Sequence, residues 1–221
     1  MKNIFSHFAF VAMILFVMSA CSKSDGPALS GDYGPNLHWS YDINKLMLVI
    51  SGTGEMPDNT YENYPWKTGG AGTYYERVTS IILEEGITSI GMEAFQNTKI
   101  TSIVIPNSVV RIGMYAFIAC EDLKMITLGQ NVKVIETSAF APTGGGYDKN
   151  TPITVFNYAT TPQVIDAGVF TNSWWSYKDK DPSTWPIRNL AESVLYVPRA
   201  SVNAYKNAEV WKMFGHIEPL D

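Results

Sequence analysis

Four stretches of this chain repeat one pattern. Ile90-Gly91-Met92-Glu93-Ala94-Phe95 aligns with Ile112-Gly113-Met114-Tyr115-Ala116-Phe117, with Ile135-Glu136-Thr137-Ser138-Ala139-Phe140 and with Ile165-Asp166-Ala167-Gly168-Val169-Phe170. The phenylalanines follow one another at steps of 22, 23 and 30 residues. Self-similarity at such a period constrains the fold more than composition does. Each unit is one small supersecondary element whose apolar face only its neighbours can cover. The longest step contains Ala141-Pro142-Thr143-Gly144-Gly145-Gly146-Tyr147-Asp148-Lys149-Asn150, a glycine-rich insertion that belongs in an exposed loop.

Between the phenylalanines lie short alternating segments. Ile81 and Leu83, Ile103 and Ile105, and Ile126 and Leu128 hold equivalent places, preceded by Val78, Ile100 and Leu123. Apolar residues at every second position predict short strands with one buried face. Each strand then breaks, at Glu85-Gly86, Pro106-Asn107 or Gly129-Gln130, and a further buried position follows at Ile87, Val109 and Val132. Stacked units bring equivalent strands side by side and parallel, about 4.8 Å apart. An ordinary β-sandwich would have to produce the same features in four units by coincidence. The predicted fold is a repeat solenoid, mainly β: a leucine-rich-repeat-like stack of short parallel strands.

The unit resembles the leucine-rich repeat of Bacteroides surface protein A-like proteins. Ile100-Thr101-Ser102-Ile103-Val104-Ile105-Pro106-Asn107-Ser108-Val109, followed by Ile112-Gly113 and Ala116-Phe117, carries the likeness, and so does the turn Ile118-Ala119-Cys120-Glu121-Asp122-Leu123. It departs from the L-x-x-L-x-L-x-x-N repeat, so the curvature of that horseshoe does not transfer. The flanks also resemble the family. Residues 37–42 and 46–54 look like its N-terminal β-hairpin cap, with a turn at Asp42-Ile43-Asn44-Lys45. Leu195 to Lys206 looks like its ending, with Ser201 as N-cap of a short helix and Val202, Tyr205, Trp211, Phe214 and Ile217 covering the last edge. Tyr61, Tyr64, Trp66, Tyr74 and Tyr75 are expected to pack under the N-terminal cap. The division expected is a signal peptide over 1–20, a flexible tether over 21–36, the N-terminal cap over 37–77, the solenoid over 78–197 with insertions near 141–150 and 171–190, and a C-terminal cap over 198–221.

The N-terminus reads as a targeting signal. Lys2 precedes an apolar run of 11 residues from Phe8 to Met18. This is too short to span a bilayer, which takes about 20 residues, and suits a signal-peptide h-region. Met18-Ser19-Ala20-Cys21 then resembles a bacterial lipobox, which implies lipidation of Cys21 and a membrane anchor; a plain signal peptide with an incidental cysteine is the alternative. Ser22 stands where aspartate would favour inner-membrane retention by the lipoprotein-sorting pattern. An outer-membrane lipoprotein of the cell envelope, on either the surface or the periplasmic face, is therefore the expected location.

The chemistry available is sparse. Sixteen basic against 21 acidic residues give a net charge of -5, with no basic block to hold nucleic acid. Two cysteines and three histidines leave little for a zinc cluster or His-based catalysis. No nucleophile-elbow, zinc-protease, C-x-x-C or phosphate-loop motif is present, and nothing calls for a cofactor or metal. His38 is placed in a strand, His216 in a terminal loop, and Cys120 in the core. The stretch that hints at a ligand is Trp174-Trp175-Ser176-Tyr177 with Trp185. These rings either form an exposed platform for a glycan or protein partner, or fold back as a satellite core. The function expected is a non-enzymatic scaffold for protein binding. Adhesion to host matrix or other cells is implied by the resemblance, and glycan binding through the tryptophans is the alternative.

Overall fold

The computed structural model describes residues 29–68, 75–142, 152–171 and 188–220. The repeat forms a coil with three sides. Its first side is a four-residue strand: β5 (Ser80–Leu83), β7 (Ser102–Ile105), β9 (Met125–Leu128) and β11 (Thr154–Asn157). Its second is a shorter strand: β6 (Ile87–Ile90), β8 (Arg111–Ile112) and β10 (Val134–Ile135). Its third is the turn that ends in phenylalanine.

The sides are hydrogen-bonded from coil to coil, except that β5 lies in a different sheet from β7. β7, β9 and β11 pair in parallel with no slip in register, so that Ile103 meets Ile126 and Ile126 meets Val155. The short strands pair in parallel as well, Ile90 with Ile112 and Ile112 with Ile135. In the turns, Phe95 N–H donates to Ala116 C=O at 2.8 Å, Phe117 N–H to Ala139 C=O at 2.8 Å, and Phe140 N–H to Val169 C=O at 3.1 Å. The turn reaches this pairing by putting the residue two before each of the first three phenylalanines in the left-handed region: Glu93 (φ 58°), Tyr115 (φ 59°) and Ser138 (φ 57°). None is glycine, so each carries strain of about 1–2 kcal/mol that the ladder must offset.

The repeated apolar residues fill the interior of the coil. Ile81, Leu83, Ile103, Ile105, Ile126 and Leu128 are buried, as are Val78, Ile100 and Leu123 before them and Ile87, Val109 and Val132 after them. The four phenylalanines form one column. Ring centroids of Phe95 and Phe117 lie 5.4 Å apart, those of Phe117 and Phe140 5.4 Å, and those of Phe140 and Phe170 6.3 Å. The column continues into both caps. Trp66 stacks on Phe95 at 5.9 Å, and Trp211 meets Phe170 edge-on at 6.3 Å.

The N-terminal hairpin is present: β2 (Leu37–Asp42) and β3 (Met47–Gly52) are antiparallel, and β3 joins β5 in parallel. A short β4 (Gly54–Glu55) begins the second sheet against β6. The expected flexible tether is shorter than residues 21–36. Leu29–Tyr33 is a strand, β1, paired along its whole length with β2. Its Tyr33 packs on Trp66 at 5.1 Å, which anchors a segment whose Ser, Gly and Asp give little strand signal of their own. Helix α1 (Pro65–Thr68) follows β4, and Tyr64, Trp66 and Tyr75 are buried beneath the cap. Tyr74 lies outside the described residues.

At the other end, β12 (Val194–Pro198) adds in parallel to β11, helix α2 (Val202–Asn207) crosses the core, and β13 (His216–Leu220) adds in parallel to β12. Two details differ from expectation. Ser201 stands at the helix start, but its hydroxyl donates to Thr160 C=O at 2.7 Å and caps nothing in the helix. His216 opens a strand instead of lying in a terminal loop, because Ile217 behind it is drawn into the core.

Candidate binding surface

The residues singled out for a ligand, Trp174, Trp175, Tyr177 and Trp185, lie outside the described residues, and so does Cys21. The structure does place the two ends of the tryptophan segment. Arg188 N–H donates to Phe170 C=O at 3.1 Å, so the chain leaves and rejoins the solenoid at one point.

Arg188 itself is the described residue that sequence reasoning missed there. Its guanidinium is buried and donates to three carbonyls, of Phe140 (3.2 Å), Leu123 (3.3 Å) and Cys120 (3.0 Å). It ties the turn at Cys120 and Leu123 to the end of the following one at Phe140. Burial pulls its pKa down, yet an arginine stays charged, and the three carbonyls solvate that charge.

A second charged cluster clasps the short-strand side. Arg111 holds Asp58 through two bonds, at 3.0 and 2.9 Å, and Glu136 through Nε at 2.6 Å. The same carboxylates cap turn amides: Asp58 accepts from Met92 N–H at 2.8 Å and Glu136 from Met114 N–H at 2.9 Å. Burial works to raise the Asp58 pKa, but the Arg111 guanidinium and the Met92 amide hold it below the usual range. The bonds to Glu136 and Asp58 raise that of Arg111. Beside the clasp is a shallow depression of about 350 Å³, lined by Glu55, Pro57, Asp58, Thr88, Val110 and Arg111 among others. Asp58 and Arg111 are occupied in joining the cap loop to the coils, so the clasp is structural.

Cys120 is likewise no nucleophile. It is fully buried, its Sγ lies 3.1 Å from Thr98 Oγ1 and 3.3 Å from Phe95 C=O, and burial pushes its pKa up. A thiol so placed keeps its proton.

What remains is the outward side of the long strands. Alternation sends Ile82, Val104, Thr127, Phe156 and Tyr196 to the outside, each partly exposed. Register puts Val104, Thr127, Phe156 and Tyr196 in one row across four adjacent strands. Phe156 and Tyr196 stack face to face, 4.9 Å apart with 9° between planes. Tyr158, 38% exposed, follows two residues after Phe156 on the same side. Exposed Glu218 ends the row on β13. The sequence signal for this pair was available, since period-2 alternation around the buried Val155 and Leu195 turns Phe156 and Tyr196 outward.

Parallel strands stacked coil on coil over a buried phenylalanine column define a leucine-rich repeat solenoid. Residues 71–174 match the BspA type Leucine rich repeat region, in six copies. Residues 71–174 thus carry leucine-rich repeats of the BspA type. It is also similar to the crystal structure of a leucine-rich repeat protein from Eubacterium ventriosum ATCC 27560, at 22% identity and a TM-score of 0.52. That likeness covers 89% of this chain and 45% of the other, so the chain spans less than half of the solved structure's length. At this identity it shows the fold alone. No curated protein matches the chain.

Proposed function

We propose that this chain is a non-enzymatic, envelope-associated binding protein that engages a protein partner through the outward side of its long strands. The observation that carries the reading is the stacked Phe156–Tyr196 pair, held partly exposed in the outward row between Thr127 and Glu218. Solenoids present extended surfaces of this kind to their ligands, and aromatic rings on rigid strands serve as interface anchors at small entropic cost. Lipidation at Cys21 would fix the solenoid to the envelope, and adhesion to host matrix or to other cells is the role we assign.

Immobilised matrix proteins, with a glycan array run in parallel, test this. Replacing Phe156 and Tyr196 together by Ala should weaken protein binding about 30-fold or more, as for loss of about 2 kcal/mol of anchor contacts. The fold should persist, because both rings point away from the core. Binding that survives this change but is lost on Trp174→Ala or Trp175→Ala would move the site to the segment 172–187. Binding confined to the glycan array would overturn the protein-partner reading. Cys21→Ser should release the protein from membranes without altering its affinity.

A further inference from the structure

Among the described strands β13 is an edge of the long sheet, and it carries a glutamate and a proline, Glu218 and Pro219. β13 continues the register of the coils. His216 N–H donates to Ser193 C=O at 3.3 Å, as Val194 N–H does to Ile153 C=O at 3.1 Å and Thr154 N–H to Lys124 C=O at 2.8 Å in the strands before it. Along a strand, successive residues turn their backbone groups to opposite sides. His216, opposite Val194, turns its groups to β12, and Glu218 and Leu220 do the same. Ile217 and Pro219 therefore turn theirs to the open side. Among the described strands β13 pairs with β12 alone. β7, β9, β11 and β12 each use that same side to hold the next strand.

An open edge of this kind is a template for another chain. The partner best matched to it is an identical edge, since a twofold axis makes an isologous contact from one surface. Two β13 strands related in this way would run antiparallel. Centred on Glu218, they would set Ile217 of one copy against residue 219 of the other. Four ladder bonds would then join the copies: Ile217 N–H to the residue-219 carbonyl and residue-219 N–H to the Ile217 carbonyl, each twice. Proline has no N–H, so two of the four cannot form. The same register opposes the two exposed Glu218 side chains, and like charges directly opposite destabilise a pair.

We propose that Pro219 and Glu218 together terminate the sheet, and that what they exclude is pairing with a second copy of this chain. The proposal rests on strand register and is independent of the binding surface described above. The test is the sedimentation mass of the full chain carrying Cys21→Ser, followed over concentration. The unaltered edge should stay monomeric throughout. Pro219→Val with Glu218→Thr should show a mass that doubles with concentration, and each single change should give weaker association. Pro198→Val restores an N–H on the side facing β11, away from the open edge, and should leave the mass unchanged. A folded double variant that stays monomeric overturns the proposal. Hydrogen exchange of the Ile217 amide in the protein with Pro219 and Glu218 in place decides independently of the variants: fast exchange supports an open edge, and strong protection overturns it.

Discussion

Phe117 lies between Phe95 and Phe140 with no exposed surface. Truncation there removes the middle of a stacked column and leaves a cavity that coils fixed by three ladders cannot close. Phe117→Ala should lower the unfolding free energy by about 3–5 kcal/mol. Thr101→Ala, at an exposed position at the start of the same coil, should stay within about 0.5 kcal/mol. Denaturant titration of the two variants checks this, and comparable small losses would mean that the column is not a core. Arg188 makes a different demand. Replacing it by Met keeps much of its volume but takes a donor from three buried carbonyls, of which that of Cys120 keeps the Leu123 N–H at 3.1 Å, so a loss of about 3 kcal/mol is expected in the same titration. Arg188→Lys should recover only part of it, because one ammonium cannot reach all three acceptors as the planar fork does. The phenylalanines were legible in the sequence because their spacing repeats. Arg188 was not, because its partners are backbone carbonyls that belong to no motif.

At the scale of elements, α1 is docked by a buried lysine. Lys67 donates to Glu93 C=O at 2.7 Å and sits above the rings of Tyr64 and Tyr75, 5.2 and 4.9 Å from their centroids. The rings and the carbonyl favour its charge, but burial outweighs them and lowers its pKa to about 7. Unfolded, the same group holds its proton up to the ordinary lysine value of about 10.5. Between these two values the unfolded chain binds more protons than the folded one, so stability should rise with pH across that window. Below the lower value both states are charged, and the cost of burying the ammonium stays constant. Lys67→Met should remove this rise, which melting curves taken from neutral to alkaline pH would reveal; an unchanged profile would discount Lys67 as its source. The strands of the coils were readable from alternation, since one face of each is buried. β1 was not, because among the described strands it pairs with β2 alone and its own residues, Leu29-Ser30-Gly31-Asp32-Tyr33, alternate weakly. The outward row of Val104, Thr127, Phe156 and Tyr196 was half legible. Alternation points each residue outward, but only the register across strands shows that they are neighbours.

As a whole molecule the protein is a stack in which the strands of each repeated unit pair with those before and after it, while Arg111 and Arg188 reach further. Its two ends differ in kind: an antiparallel hairpin with β1 and α1 covers one, and α2 with the proline-bearing β13 closes the other. The three ladders all run along the direction of stacking. A load applied between the two ends of the stack would therefore pull along those hydrogen bonds, opening one junction at a time instead of shearing all strands at once. Each coil of 22 or 23 residues that peels away would release about 70–80 Å of contour length at about 3.3–3.6 Å per residue. Under tension the regular coils would lengthen in near-equal increments and the 30-residue coil in a longer one, so that the stack would act as a spool that limits the force it passes on.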